Sequence, residues 1–162
     1  MIDKENIVGY SYLGTPYYSD IIFQKGSYIN SKGQKISYEE IKLYDIIMNV
    51  SQTKNIIETP VQGGRNFIEY ISDGNWDVTI SGRLSPTDKE TMFLYPDDVM
   101  NLFVELCKAQ DSIAVVSKYL QRFSIYNLVI MSIDAPQTEG SHSIQAFTLT
   151  CKSDEPIELI LK

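Results

Sequence analysis

The stretch from Phe67 to Leu84, Phe-Ile-Glu-Tyr-Ile-Ser-Asp-Gly-Asn-Trp-Asp-Val-Thr-Ile-Ser-Gly-Arg-Leu, limits what this chain can become more than any other. Its second part sets Trp76, Val78 and Ile80 on one face and Asp77, Thr79 and Ser81 on the other, the period-two alternation of a strand with one dry face. Its first part, Phe67 to Ile71, is aromatic or β-branched at four of five positions. Between them, Ser72-Asp73-Gly74-Asn75 supplies a glycine that tolerates φ > 0 and an aspartate able to bond its own backbone. The stretch is therefore expected to be a β-hairpin turning at residues 72–75. A slip of one residue would push Trp76, the single tryptophan, into water, which pins the register.

A chain of 162 residues with 43% hydrophobic content has enough apolar material for one domain with a real core. Its 14 Lys+Arg against 21 Asp+Glu give a net charge of -7, and no basic cluster is present to release counterions from a phosphate backbone, so no nucleic-acid contact is expected. No apolar run reaches the roughly 18 residues that cross a bilayer. The start, Met1-Ile2-Asp3-Lys4-Glu5, lacks the basic-then-apolar order of a signal peptide, so none is expected. Cys107 and Cys151 stand 44 residues apart outside any Cys-x-x-Cys pair, reading as buried free thiols, with a disulfide or metal site as the alternative.

Residues 1–35 are rich in tyrosine and broken by Gly9, Gly14, Pro16, Gly26 and Gly33. They are expected to form an extended arm, with Ile21 and Phe23 sharing a face within it. Tyr10, Tyr12, Tyr17 and Tyr18 then become interface candidates, since each couples a large ring to one polar handle; packing on their own domain is the alternative. Residues 36–156 are expected to be the folded domain. In it, 43–50 reads as a strand, Pro60 closes the passage after it, and Gln62-Gly63-Gly64-Arg65-Asn66 reads as a connecting loop; a phosphate-cradling loop would need a following Lys-Ser/Thr and a helix. Pro96, Asp97 and Asp98 open the one convincing helix, and Val99, Leu102, Phe103 and Leu106 form its apolar stripe, with an end near Ala109-Gln110. Residues 113–117, 126–133 and 143–152 read as strands, the last with Phe147, Leu149 and Cys151 on one face and forming a hairpin with its predecessor. Residues 157–162 are an apolar tail after Pro156, and Ile157, Leu159 and Leu161 in it are further interface candidates. The fold class expected is α+β: a twisted antiparallel β-sandwich or barrel with one main helix packed on it and extended terminal arms.

No catalytic residue, cofactor site or metal site is expected. His142, the only histidine, stands between two serines in a loop without a nucleophile elbow. One histidine and two distant cysteines write no zinc pattern. Asp73, Asp77, Asp97 and Asp98 lack the regular oxygen spacing of a calcium loop and each serves a turn, strand or helix start.

The order Gly74-Asn-Trp-Asp-Val-Thr-Ile-Ser-Gly-Arg-Leu84, a helix over Asp97–Ala109, Phe123-Ser-Ile-Tyr-Asn-Leu-Val-Ile130 and Gln145-Ala-Phe-Thr-Leu-Thr-Cys-Lys-Ser-Asp-Glu-Pro156 resembles the tail-completion (U-type) and baseplate proteins of contractile-tailed phages. Those carry a gly-asp-x-x-ile-thr-ile-x-gly-x-leu strand, a helix, a gly-ile-tyr-x-val-val strand and a closing phe-x-leu-x-leu strand. The whole chain, with Tyr12-Leu-Gly-Thr-Pro-Tyr17 and Gln52-Thr-Lys-Asn-Ile-Ile-Glu-Thr-Pro-Val-Gln-Gly63, also resembles an uncharacterised phage and prophage domain family of gut anaerobes. The first resemblance implies a non-enzymatic structural subunit of a phage tail, baseplate or related contractile injection particle. Its partners would be copies of itself in a ring and other tail or baseplate proteins. Its place would be the virion, assembled in the host bacterial cytoplasm. The competing expectations are a glycan- or peptidoglycan-binding module using exposed tyrosines and Trp76, and a hydrolase built on a carboxylate pair.

Overall fold

A computed structural model of the protein describes residues 9–10, 16–17, 20–44, 46–84, 94–137 and 143–154. In chain order the early strands are β1 (Gly9–Tyr10), β2 (Pro16–Tyr17), β3 (Ile21–Phe23), β4 (Gly26–Ile29), β5 (Lys35–Tyr38) and β6 (Ile41–Leu43). The long strands β7 (Ile47–Pro60) and β8 (Asn66–Leu84) follow. Helix α1 (Asp97–Cys107), β9 (Ile113–Val116), helix α2 (Lys118–Gln121), β10 (Asn127–Asp134) and β11 (Gln145–Ser153) complete the described elements.

Seven strands form one antiparallel sheet in the order β6-β3-β9-β10-β11-β8-β7. The sheet is open, with β6 and β7 at its edges, so the barrel alternative does not describe it. The fold is mostly antiparallel β, and α1 is accompanied by a second, one-turn helix, α2. Where the sequence alternates, the strands form as expected: β9, β10 and β11 coincide with the predicted ones, and Phe147, Leu149 and Cys151 are buried on one face of β11. The strand expected over 43–50 is split, because β6 ends at Leu43 and β7 begins at Ile47.

The stretch expected to be an N-terminal arm is, over its described residues 20–35, part of the body. Ile21 and Phe23 are fully buried in β3, which lies between β6 and β9 in the sheet. Each such side chain gains roughly 1.5–3 kcal/mol on leaving water, far more than a free arm would keep. Two of the glycines that suggested an arm, Gly26 and Gly33, do other work. Gly33, at φ 78°, makes the β4–β5 turn, in which the Asn30 side chain accepts bonds from the Lys32 and Gln34 amides. A Cβ on Gly26 would meet the Tyr38 ring, which packs beside Tyr28 in the core.

Helix α1 starts one residue later than expected, with Pro96 as its N-cap and Asp97 and Asp98 in its first turn. Phe103 and Leu106 are buried, and the Phe103 ring lies 4.8 Å from that of Phe147 on β11. Leu102, expected on the buried stripe, is exposed instead, and Met100 packs on the core in its place. The packed face is turned from the expected one, toward Met100 and Cys107, which lie on the core together with Val99, Phe103 and Leu106.

Around α2, the Phe123 ring lies 5.2 Å from that of Trp76 and meets the Tyr119 ring edge-on at 5.5 Å. Ser124 adopts φ 58° there, letting the Ile125 amide bond back to the Leu120 carbonyl and end α2. Ser124 stands where the resembled strand pattern carries glycine. Buried Gln145 joins three segments: it accepts from the Tyr95 hydroxyl at 2.7 Å and donates to the carbonyls of Pro136 and Ala146, each at 2.8 Å.

Candidate assembly surface

The hairpin expected to turn at 72–75 turns elsewhere. β8 runs without reversal from Asn66 to Leu84, and the chain reverses at residues 61–65, where Gly63 and Gly64 take φ 114° and 87° and the Val61 amide bonds the Arg65 carbonyl. Two adjacent left-handed glycines make the tighter reversal. Gly74 has a different duty. A Cβ at that position would collide with the Thr53 carbonyl oxygen, and the ladder shifts there, from Gln52 opposite Trp76 to Lys54 opposite Asp73. It is a bulge glycine, and the Gln52 side chain donates to its carbonyl at 2.8 Å.

This rearrangement turns the expected short hairpin into a long arm. Up to Gln52 on β7 and from Trp76 on β8 the two strands belong to the sheet: Met48, Val78 and Ile80 are buried, and Val50 and Trp76 pack on the core. From Thr53 to Asp73 every residue is exposed. Phe67, Ile68, Tyr70 and Ile71 are 56–58% exposed, and Ile56, Ile57 and Val61 about half. The register assigns them to both faces. Ile56 opposite Tyr70 and Glu58 opposite Ile68 lie on one; Ile57 opposite Glu69 and Thr59 opposite Phe67 lie on the other. A second bulge, at Ile71, restores the row that the Gly74 bulge displaced.

Apolar doublets explain the two-sidedness. A strand with one wet face alternates, as Trp76 to Ser81 does, whereas a strand covered on both faces reads as an almost continuous apolar run. Ile56-Ile57, Phe67-Ile68 and Tyr70-Ile71 are runs of the second kind, placed where no described element covers either face. That run was the sequence signal for the arm, and the Asp73-Gly74 turn reading masked it. A lone two-stranded ribbon is marginal in water. Its root is braced by polar contacts instead: Lys54 lies 3.7 Å from Asp73 and over the Tyr70 ring, and the Asn55 amide donates to Ser72 at 2.9 Å. The Tyr70 hydroxyl is raised above its usual pKa, first by its hydrogen bond with Asp73.

The sequence offers seven interface candidates, four tyrosines and three tail residues. Tyr12, Tyr18, Ile157, Leu159 and Leu161 lie outside the described residues, as does His142. Tyr10 and Tyr17 sit in the β1–β2 backbone pair, opposite Pro16 and Gly9. None of the seven is in the described arm. Trp76, the sugar platform of the glycan-binding alternative, has its ring packed on Phe123.

Chemistry has little foothold among the described residues. No group of three or more His, Cys, Asp or Glu is placed to hold a metal ion. Two recesses of about 480 and 470 Å³ lie at the surface, one beside Tyr28, Lys35 and Asp111 and the other beside Ile47, Arg83 and Phe147. Cys107 and Cys151 are free, and burial pushes both thiols from 9.0 up to about 12, the Cys107 thiol adding to the rise at Cys151. Two results are expected. At pH 8 a maleimide should label the folded protein at least a hundredfold more slowly than the urea-unfolded chain, read by mass spectrometry. Because the folded pKa values lie above the unfolded ones, the thiols' contribution to stability is complete below about pH 9 and declines as pH rises toward 12. Rapid labelling of the folded chain would show that the thiols are not buried.

Comparison with known proteins adds a family. The model of a family described as a domain of unknown function, DUF6046, matches residues 43–162. No curated protein matches the sequence. One similar solved structure is the sheath/tube terminator of an extracellular contractile injection system, PVC, in the extended state; it is 16% identical with a TM-score of 0.43, covering 93% of this chain and 97% of that one. Another comes from the tail of an empty GTA particle solved by helical refinement with C6 symmetry; it is 14% identical with a TM-score of 0.35, covering 68% of this chain and 76% of that one. At these scores neither likeness carries weight for the fold or the role.

Proposed function

Since the chain belongs to the DUF6046 family, a domain of unknown function that brings no activity with it, we propose a role from its own surface: a structural subunit of a phage tail, baseplate or related contractile injection particle, acting by protein–protein assembly. The observation that carries assembly is the β7–β8 arm, which exposes apolar side chains on both faces and is covered on neither by any described element. Such a ribbon becomes stable once other protein layers enclose it, as a central strand pair is enclosed within a core. Copies of the same chain meet this need most simply, because a head-to-tail contact repeated around an axis closes into a ring. The tail assignment itself rests on the sequence resemblance to tail-completion and baseplate proteins, within which tail-tube end, completion ring and baseplate hub are the available positions. The net charge of -7 suits a protein surface and not a nucleic acid.

The test charges one arm face at a time. Ile68→Glu alters the face shared with Ile56 and Tyr70, and Ile57→Glu the face shared with Phe67 and Glu69. Light scattering over a concentration series should show the unaltered protein associating and each variant weakened at least tenfold, with circular dichroism unchanged. Association of both variants at the original strength, or an unaltered chain that stays monomeric at high concentration, overturns the reading.

A further inference from the structure

The face of the sheet turned away from the core carries an unpaired charge beside an exposed apolar side chain. The strand cations on that face are Lys42, Lys152 and Arg83. Lys42 lies 3.6 Å from Asp20 and Lys152 4.0 Å from Asp77, whereas Arg83 has no ion pair among the described residues. Arg83 lines the recess of about 470 Å³, together with the small residues Ser81, Gly82 and Ala146 and with Ile47. Ile47, opposite Ser81, is 77% exposed, more than any other large hydrophobic residue described.

The arm carries the complement. Of its carboxylates, Asp73 lies 3.7 Å from Lys54 and Glu58 accepts from the Asn66 amide at 3.4 Å, while Glu69 has no partner among the described residues. Glu69 sits opposite Ile57 and two residues from Phe67, which is 57% exposed. The extra residues of both bulges belong to β8, so β7 alternates without interruption and its odd-numbered residues keep one side from Ile47 to Thr59. Ile57, Glu69 and Phe67 therefore face the same way as Ile47 and Arg83. From Phe67 to Arg83 the strand runs unreversed for roughly 50 Å, so an arm does not reach the recess of its own copy.

We propose that the arm of one copy docks by its Ile57, Phe67 and Glu69 face onto the recess beside Ile47 and Arg83 of a second copy. Phe67 enters the recess and Glu69 pairs with Arg83. This rests on the assembly reading above and adds the acceptor surface to it. An aromatic ring filling a pocket beside an arginine is the kind of contact in which an interface concentrates its binding energy. Both surfaces are strand faces, so the contact is one sheet laid on another at about 10 Å, with side chains of the two faces interdigitating. Donor and acceptor lie at opposite ends of one ladder, so each copy gives an arm and receives one. That is a head-to-tail contact, the kind that closes into a ring. With a net charge of -7, unspecific approach of two copies is repulsive, and the local match of Glu69 to Arg83 selects this contact over others.

Charge exchange tests it, by light scattering over a concentration series on full-length chains. Glu69→Arg and Arg83→Glu are each expected to weaken association at least tenfold, as a mismatched charge at an interface does. An equimolar mixture of the two variants is expected to regain most of the original strength, because every arm then finds an acceptor of opposite sign. The double variant Glu69→Arg/Arg83→Glu should regain it too. Both residues are exposed, and recovery on mixing excludes misfolding as the cause of the loss. Single variants that associate at full strength overturn this acceptor, and so does a mixture no stronger than its components. Ile57→Glu, which charges the arm face and leaves the recess intact, then tells whether the assembly reading survives. An unaltered chain that stays monomeric at high concentration overturns both.

Discussion

Replacing residues 56–71 by Asn-Gly, so that Asn55 and Ser72 are joined by a two-residue turn, is expected to leave a folded protein that no longer assembles. The segment removed contributes no buried side chain, while every strand pairing of the body between Gln52 and Trp76 and beyond remains. Asn-Gly supplies the left-handed pair of residues that a short hairpin turn requires, and Asn55 and Ser72 already face each other. Unfolding free energy should change by no more than about 1 kcal/mol, the size of a surface alteration. Association measured by light scattering should disappear, a loss far larger than either single charge on an arm face produces. Assembly at unaltered strength without the arm sinks the proposed function. Collapse of the body would show instead that the arm supports the core, contrary to its exposure.

The second large effect is on stability. Phe103→Ala removes a ring that is fully buried and in tilted contact with Phe147, the point where α1 is fastened to β11. Large-to-small changes at such sites cost about 3–5 kcal/mol, from the lost transfer energy and the cavity left behind. Against the roughly 5–15 kcal/mol that holds a domain of this size together, much of the stability goes. The urea midpoint should fall accordingly with little change in slope. Leu102→Ala, one residue away on the same helix but exposed, should cost under about 1 kcal/mol. Equal losses at the two positions would mean that Leu102 lies on the packed face of α1, which the structure turns toward Met100 instead.

That pair of leucine and phenylalanine marks the reach of the sequence well. Helical spacing placed both on one stripe, and spacing does not say whether the packed face turns toward Leu102 or toward Met100 and Cys107. The same limit explains the N-terminal region. Ile21 and Phe23 were legible as sharing a strand face, but the strand that makes β3 interior is β9, about ninety residues further on. Short glycine intervals around a three-residue strand looked like an arm because its pairing partners were too distant in the chain to see.

The candidate site was legible only as a warning sign. Apolar doublets at 56–57, 67–68 and 70–71 broke the alternation that Trp76 to Ser81 obeys. The Asp73-Gly74 pair offered a plausible turn that would have hidden the break. Local turn chemistry could not separate two glycine sites that differ only in backbone conformation: Gly63 and Gly64 need a positive φ, and Gly74 needs the space beside Thr53.

By itself, then, the sequence determined that this protein is built from alternating strands with a helix opened by Pro96, that its charge opposes nucleic acid, and that its histidine and cysteines write no zinc pattern. These follow from periodicity, composition and spacing, which belong to neighbouring residues or to the chain as a whole. Only the tertiary structure decided where the long hairpin reverses, that residues 20–35 belong to the body, and that the apolar doublets stand exposed on an arm. Whether a hydrophobic side chain is dry depends on what crosses above it, and that is fixed by contacts between segments far apart in the chain.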